Sequence, residues 1–315
     1  MTGRYHDVLR AASMYYLQDM KMETIARHLE TSRSTVSRMI KEARETGVVE
    51  ISMRLEHTRA PDLGQLVLDT YGVDALVVQV PDADSPLARL HRVARATAEL
   101  VGGWFGSDMV MAVAWGTTVG RVVPYLAAKE TQGSVVVQLN GAADTRTGGV
   151  NYGDGTMRGI AHAFGAKVQY FAVPAFFEHP ETRDAMWRER SVRRVLELQR
   201  NADLALFSVG ALRGEPPGHV YSAGYLESRD VARLEADSAV GDVGGVFLRA
   251  DGSHAGIAMN RRATGPSPER LREIPRRVCA VAGDNKVEPL RAALFAGLVT
   301  HLVIDELTAA RLLNL

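Results

Sequence analysis

METIARHLETSRSTVSRMIKEARETG, residues 22–47, sets two short runs of helical periodicity on either side of a tight break. Ile25, Ala26 and Leu29 recur at helical spacing, and Val36, Met39, Ile40 and Ala43 do so again after Glu30-Thr31-Ser32. Two amphipathic helices must therefore bury their apolar stripes across that break. Ser32 is placed to accept an otherwise unpaired amide hydrogen as N-cap of the second helix, and Gly47 is placed to stop it, which predicts a helix from about residue 33 to residue 46. Helix-turn-helix turns often carry Gly-Val-Ser at this point, so Glu30 is expected to bear backbone strain if the turn needs a positive φ.

With Val36, Ile40 and Ala43 facing inward, the second helix leaves Arg33, Ser34, Thr35, Ser37, Arg38, Lys41 and Arg44 to solvent. Arginine makes bidentate contacts to guanine, hydroxyls bond base edges or phosphates, and the N-terminal part of a recognition helix enters the major groove. Arg33, Ser34, Thr35, Ser37, Arg38 and Lys41 are thus the candidate DNA contacts. Any charged helical hairpin would show a basic solvated face. The combination of Ala26, the short turn, Ser32 and Val36 at helix-turn-helix spacing is what favours the DNA reading. Upstream, residues 4–19 form a supporting helical pattern. Downstream, residues 48–55 alternate like a strand, so a winged head is expected.

The chain of 315 residues is too long for a small head alone, and its 46% hydrophobic content supplies a sizeable second core. The 37 basic and 37 acidic side chains cancel, so any attraction to nucleic acid must be local. Residues 33–44 carry 4 basic side chains against 1 acidic, which concentrates the positive field on the second helix. The single cysteine, Cys279, lies in an apolar run and reads as a small buried hydrophobe, so no disulfide forms within one chain. With neither a leader pattern nor an apolar run long enough to span a bilayer, the expected location is cytoplasmic.

Residues 54–64, RLEHTRAPDLG, lack apolar periodicity and suit a linker, which predicts a head over 1–57 and a second domain over 58–315. In that domain, strand patterns at 75–80, 109–114, 134–139, 167–173, 204–209, 245–248, 277–282 and 300–304 alternate with helical ones. The helical patterns include 63–71, 86–105, 118–128, 155–164, 191–201, 229–237, 287–295 and 306–313. Continuous apolar strands separated by helices predict an α/β domain with a Rossmann-like parallel sheet covered on both faces. Such sheets bind ligands outside the carboxyl ends of their strands.

Four loops follow predicted strands. Trp115-Gly116-Thr117-Thr118 offers close backbone approach and hydroxyl donors, suited to phosphate, although Gly-Thr-Thr before a helix is also ordinary capping. Asn140-Gly141-Ala142-Ala143-Asp144 leads through a glycine-rich segment to Tyr152 and Asp154, where Asp154 equally suits a helix cap and Tyr152 equally suits packing. Gly241-Asp242-Val243-Gly244-Gly245 reads as a turn whose carboxylate faces sugar hydroxyls or simply closes the turn. Gly283-Asp284-Asn285-Lys286 puts a lysine at a helix start, an unfavourable place unless an anion, or Asp284 itself, compensates.

A helix-turn-helix head followed in order by WGTT, LNGA, GDVGG and AVAGDNK resembles the SorC family of bacterial sugar-responsive transcription regulators, over nearly the whole chain. The closing segment, VCAVAGDNKVEPLRAALFAGLVTHLVIDELTAARLL (278–313), is its most specific part. The resemblance implies an effector domain related to sugar-phosphate isomerases, and a tetramer whose grip on DNA changes with a bound sugar phosphate. Carried over residue by residue, it assigns Gly116, Thr117 and Thr118 to the phosphate loop and Asn140 and Gly141 to a second loop. Asp242 becomes the acidic ligand and Lys286 the basic one, with Tyr152 and Asp154 as weaker additions. Some relatives have arginine where Asn140 stands and glycine where Asp284 stands, which disfavours a bisphosphate and leaves an unphosphorylated polyol conceivable.

The expected function is thus a DNA-binding regulator whose operator affinity is set by a sugar, polyol or sugar phosphate. The expected partners are double-stranded operator DNA, that effector and further copies of the chain, with no cofactor, metal or catalytic residue. The competing readings are an isomerase-like enzyme, with Asp242 and Lys286 doing acid–base work behind a DNA-binding head, and an architectural DNA-binding protein.

Overall fold

The structure is a computed structural model that describes all residues except 1, 17, 19, 47, 50–61, 82, 143–150, 214–218 and 223. The chain divides into two compact units, Met1–Arg59 and Ala60–Leu315.

The smaller unit holds α1 (Thr2–Tyr16), α2 (Met22–His28) and α3 (Arg33–Glu45). Ile25, Ala26, Val36 and Ile40 are buried with Ala11 of α1 in one cluster, and Ala43 is buried with Val8 and Ala12 in another. The two apolar stripes read from the sequence therefore close on α1 as well as on each other. The Ser32 hydroxyl accepts the Thr35 amide at 3.1 Å, which fixes where α3 begins. Glu30 adopts φ 48°, the left-handed conformation expected of the turn. Gly47, most of the strand expected over 48–55 and most of the linker expected over 54–64 lie outside the described residues.

The larger unit opens with α4 (Leu63–Tyr71), β1 (Asp74–Val78), α5 (Pro86–Trp104), β2 (Val110–Val113) and α6 (Thr117–Val122). It continues through β3 (Val135–Gln138), α7 (Asn151–Phe164), β4 (Lys167–Gln169), α8 (Pro180–Met186), α9 (Arg190–Arg200), β5 (Leu204–Phe207) and β6 (Val209–Ala211). Then come α10 (His219–Ser222), α11 (Ser228–Ala236), β7 (Ala239–Val243), β8 (Val246–Arg249), α12 (Pro268–Arg272), β9 (Arg276–Val281), α13 (Val287–Phe295), β10 (His301–Asp305) and α14 (Glu306–Leu312). Seven strands form one parallel sheet in the order β1-β10-β9-β5-β2-β3-β4.

Period-two alternation along these strands feeds two cores. Met111, Val113, Leu206, Val278 and Val303 pack with Val93, Phe105, Val119 and Phe164 from α5, its C-terminal end, α6 and α7. Ala112, Ala205, Phe207, Cys279 and Ile304 pack on the other face with Val67, Val195, Leu290 and Leu312 from α4, α9, α13 and α14. A parallel sheet covered on both faces needs apolar residues at every strand position, which is why its strands read as continuous runs. Cys279 is fully buried, and burial pushes its thiol well above the ordinary range, consistent with a packing residue.

Two features depart from the sequence reading. The strand expected over 245–248 is not in the parallel sheet: β6, β7 and β8 form a separate antiparallel sheet, and the run expected as one strand over 204–209 breaks between β5 and β6. The helix expected over 118–128 ends at Val122 and gives way to a single 3₁₀ turn, Val123–Tyr125, because Pro124 has no amide hydrogen to continue it.

Phe105, fully buried at the end of α5, meets Phe164 edge-on with ring centroids 5.1 Å apart. Phe105→Ala is expected to destabilise the larger unit by about 3–5 kcal/mol in chemical denaturation, as a cavity between two packed layers cannot collapse.

Candidate functional site

The carboxyl ends of the parallel strands open into a cavity of about 510 Å³. It gathers Gly116, Thr117 and Thr118 after β2, Asn140 after β3, Asp242 on β7 and Lys286 after β9. Six of the nine residues expected to meet a ligand thus share one cavity, although they span 170 positions of sequence.

The β2 arm is shaped by its neighbours. Trp115 is buried, its indole Nε1–H donates to the Gly141 carbonyl at 3.0 Å, and its ring lies 5.1 Å from that of Tyr225. That anchors the start of the turn and leaves Gly116 facing open space, where an added Cβ would meet no atom within 4 Å. Here glycine matters as free approach to the backbone.

Asp242 corrects the sequence reading: it lies on strand β7, one residue before the turn, and its carboxylate is buried. Gly210 on β6 is its cross-strand partner, and a Cβ on Gly210 would fall 1.9 Å from Asp242 Oδ1, so the absent side chain is the space the carboxylate occupies. Gly244 and Gly245, at φ 58° and 84°, make the two-residue hairpin turn to β8, a conformation that favours glycine at both places. The Gly245 amide donates to Asp242 Oδ2 at 2.8 Å and the Tyr221 hydroxyl to Oδ1 at 2.9 Å. Burial raises the Asp242 pKa, and these two donors and Lys286 only partly offset it. Burial and the adjacent carboxylate also push the Tyr221 hydroxyl well up.

Lys286 is buried enough that desolvation lowers its pKa, opposed by Asp242. Its ammonium donates to the Val209 carbonyl at 2.7 Å, which leaves further N–H donors of a three-donor group. Asp284 does not neutralise it. That carboxylate instead pairs with Arg311 and lies 3.8 Å from Arg89.

Three expected residues fall away from the cavity lining. Gly141 is held in the fold by its amide bond to the Thr264 hydroxyl at 3.1 Å, and a Cβ there would sit 2.3 Å from the Pro174 carbonyl, so the packing there requires glycine. Asp154 lies on α7, where the Tyr170 hydroxyl at 2.5 Å and Arg158 hold its carboxyl below the ordinary range. Tyr152 is in the first turn of α7, and its side chain lies outside the described residues. Conversely, Arg89, Ser208 and Tyr221 line the cavity without having been expected. The signal available for Tyr221 was an aromatic near a buried acid. Arg89 looked like one more arginine on an amphipathic helix.

In the smaller unit, Arg33, Ser34, Ser37, Arg38 and Lys41 are exposed along α3 and Thr35 is half-buried. Arg33 is paired with Glu23 of α2 at 2.9 Å, and Arg38 reaches the Thr35 hydroxyl at 3.4 Å. Among the described residues no cluster of His, Cys, Asp and Glu could hold a metal ion, and no helix is long and apolar enough to cross a membrane.

A family model described as a sugar-binding domain matches residues 56–314. The deoxyribonucleoside regulator of Bacillus subtilis (strain 168) is 31% identical over 308 residues, covering 97% of this chain and 96% of that protein. The crystal structure of a domain of a possible sugar-binding transcriptional regulator from Arthrobacter aurescens TC1 matches with a TM-score of 0.76 and 45% identity, covering 82% of this chain and 100% of that one. The full-length sorbitol operon regulator SorC from Klebsiella pneumoniae matches with a TM-score of 0.72 at 22% identity, covering 97% of this chain and 98% of that one, a likeness of fold.

Asp242 gives a pH signature. Its folded carboxyl holds a proton more tightly than the unfolded chain does, so the group favours folding below the unfolded value of about 4 and loses that contribution as pH rises through the folded value. Asp242→Asn removes this titration. The melting temperature of the variant relative to the wild type is expected to rise between about pH 4 and about pH 7; a flat or falling difference would mean the carboxylate ionises without cost.

Proposed function

The chain belongs to the SorC family of bacterial sugar-responsive transcription regulators, and from that premise we propose that it is a DNA-binding regulator whose operator affinity is set by a carbohydrate effector. The observation that carries the effector half is the convergence of Thr117, Thr118, Asn140, Asp242 and Lys286 on a single cavity at the carboxyl ends of the strands. Hydroxyls, an amide, a carboxylate and an ammonium are the groups that recognise a polyhydroxylated molecule bearing phosphate. Residues 1–57 are the winged helix-turn-helix head, and 58–315 bind the effector and assemble the oligomer.

The DNA half rests on α3. Its exposed hydroxyls and cations lie on the side away from the buried stripe, and Ser32 fixes the first turn that would enter the major groove. Arg33, Ser34, Thr35, Ser37, Arg38 and Lys41 are the DNA contacts, with Arg33 held by Glu23 and Arg38 by the Thr35 hydroxyl until DNA takes their place. A symmetric oligomer, a tetramer on the family resemblance, presents recognition helices to half-sites about 34 Å apart or multiples of that distance. Effector and operator are coupled by about 1–3 kcal/mol.

Asp242 and Lys286 are the acid–base pair an enzyme would use, yet each is committed to neighbours: Asp242 to Tyr221 and Gly245, Lys286 to Val209. That favours a sensor over a catalyst.

Two outcomes test this reading. Arg38→Ala is expected to weaken binding to a selected operator in gel shift by about 1–3 kcal/mol while leaving thermal stabilisation by sugar phosphates unchanged. In a thermal-shift screen of sugars, polyols and their phosphates, Thr117→Ala and Lys286→Ala should each shrink the stabilisation given by the best compound without altering operator binding in its absence. Turnover of any of these compounds by the purified protein would replace the sensor with an enzyme.

A further inference from the structure

Three buried side-chain atoms have no hydrogen-bond partner among the described residues: Arg89 Nε, Asn140 Oδ1 and Ser208 Oγ. All three belong to residues lining the same cavity. Burying an unpaired donor or acceptor is costly, and native structures rarely tolerate it, so three such atoms along one cavity mark where a ligand's atoms complete the bonding.

The charges beside these atoms say what kind of ligand. The Arg89 side chain is 9% exposed, and its Nη1 donates to the wholly buried Asp305 at 3.1 Å. Its charge is therefore already met, and its spare Nε–H suits a neutral acceptor oxygen better than a second anion. Lys286 faces Asp242 in the same way, and Asp284 is paired with Arg311. Arg121, exposed on α6 one turn beyond Thr117 and Thr118, lines the cavity with no ion-pair partner among the described residues. Among the described residues, the lining thus carries one positive charge without an ion-pair partner, at the β2 side.

Position separates the two chemistries. From β2 through β5 and β9 to β10 is three strand spacings, about 14 Å. Arg121 and the threonines stand at one end of that span, Ser208 follows β5, and Arg89 is held by Asp305 at the end of β10.

We propose that Arg89 and Ser208 are effector-reading residues, and that Arg121 supplies the positive charge beside the threonine loop. The phosphate seats by Thr117, Thr118 and Arg121, and uncharged hydroxyl or carbonyl oxygens meet Ser208 Oγ and Arg89 Nε. This inference rests on the cavity being the effector site.

The test is calorimetric titration of the full-length protein with D-ribose 5-phosphate, 2-deoxy-D-ribose 5-phosphate, D-sorbitol 6-phosphate, their unphosphorylated parents and D-fructose 1,6-bisphosphate. Arg89→Lys keeps a cation opposite Asp305 but cannot also present an N–H at the Nε position. Ser208→Ala deletes an unpartnered hydroxyl and should not lower the melting temperature of the free protein. The wild type should bind at least one monophosphate more tightly than the bisphosphate. Arg89→Lys and Ser208→Ala should each weaken that binding on the order of tenfold, and Arg121→Gln should weaken the monophosphate but not its parent. If Arg89→Lys does not fold, Ser208→Ala decides.

Unchanged affinity in both variants would overturn the assignment while leaving the effector site standing, and a loss in only one would overturn the other residue's part. Tighter binding of the bisphosphate would overturn the reading of Arg121 as the one unmatched charge of the lining. If none of the probes binds the wild type, the roles of Arg89 and Ser208 fall on this panel, and the effector half of the proposed function falls with them only where the thermal-shift screen also finds no stabilising compound.

Discussion

The Asp305 carboxylate is the junction on which the cavity depends. It stands at the end of β10 as N-cap of α14, where it accepts the Thr308 amide at 3.1 Å and the Thr308 hydroxyl at 2.5 Å. It also takes the Arg89 guanidinium from α5 and the Gly283 amide, at 3.3 Å, from the loop that leads to Lys286. One fully buried carboxylate therefore fixes two helices, a strand end and a loop that lines the cavity. Removing one partner of such a group leaves an uncompensated charge in the interior, and that one-sided cost holds the arrangement together.

The opposite wall depends on absent atoms. Asp242 is buried against a strand whose facing residue is glycine, and a Cβ on Gly241 in turn would lie 2.2 Å from the Gly210 carbonyl and 2.5 Å from Pro289 Cβ. The small antiparallel sheet thus packs its backbone directly on α13 while seating a carboxylate on its other side. The hairpin turn completes the seat, since Gly244 and Gly245 adopt positive φ and the second of them donates its amide to Asp242. Glycines clustered around an acid here serve steric clearance on two strands and conformation at the turn between them.

Much of this was legible in the sequence because it follows from periodicity. Seven of the eight apolar strand patterns, interleaved with helices, do form the covered parallel sheet, and that arrangement brings the loops after β2, β3 and β9 to one end of it. The glycine-rich run around Asp242 looked like a loop because glycine carries no strand propensity, and its strand character comes from pairing with β6 and β8, partners a local reading cannot see. Gly141 shows the reverse: a glycine packed closely against backbone has the same letter as one that admits a ligand. Arg89 was invisible because its meaning lies 216 residues away, in Asp305. The stretch from 143 to 150, between Asn140 and Tyr152, lies outside the described residues, so the second loop is known only at its start.

Charge balance links the two units. The chain is neutral overall, yet α3 carries its cations on the exposed side of a helix, where a polyanion would meet them with little desolvation. In the cavity two of the cations are buried and answered by carboxylates, Arg89 by Asp305 and Lys286 by Asp242, while Arg121 is exposed at the β2 side. Where charges are already paired, a cavity wall gains little from long-range attraction and selects instead by completing hydrogen bonds, since an ill-fitting ligand leaves buried donors unmet. An effector that bonds Arg89 and Lys286 together would tie α5, the β9 loop and α14 through the same Asp305 carboxylate. Binding energy spent there stiffens elements that are distant in sequence but share one junction, and this is the kind of differential contact a two-state regulator needs if a small molecule is to bias its hold on DNA.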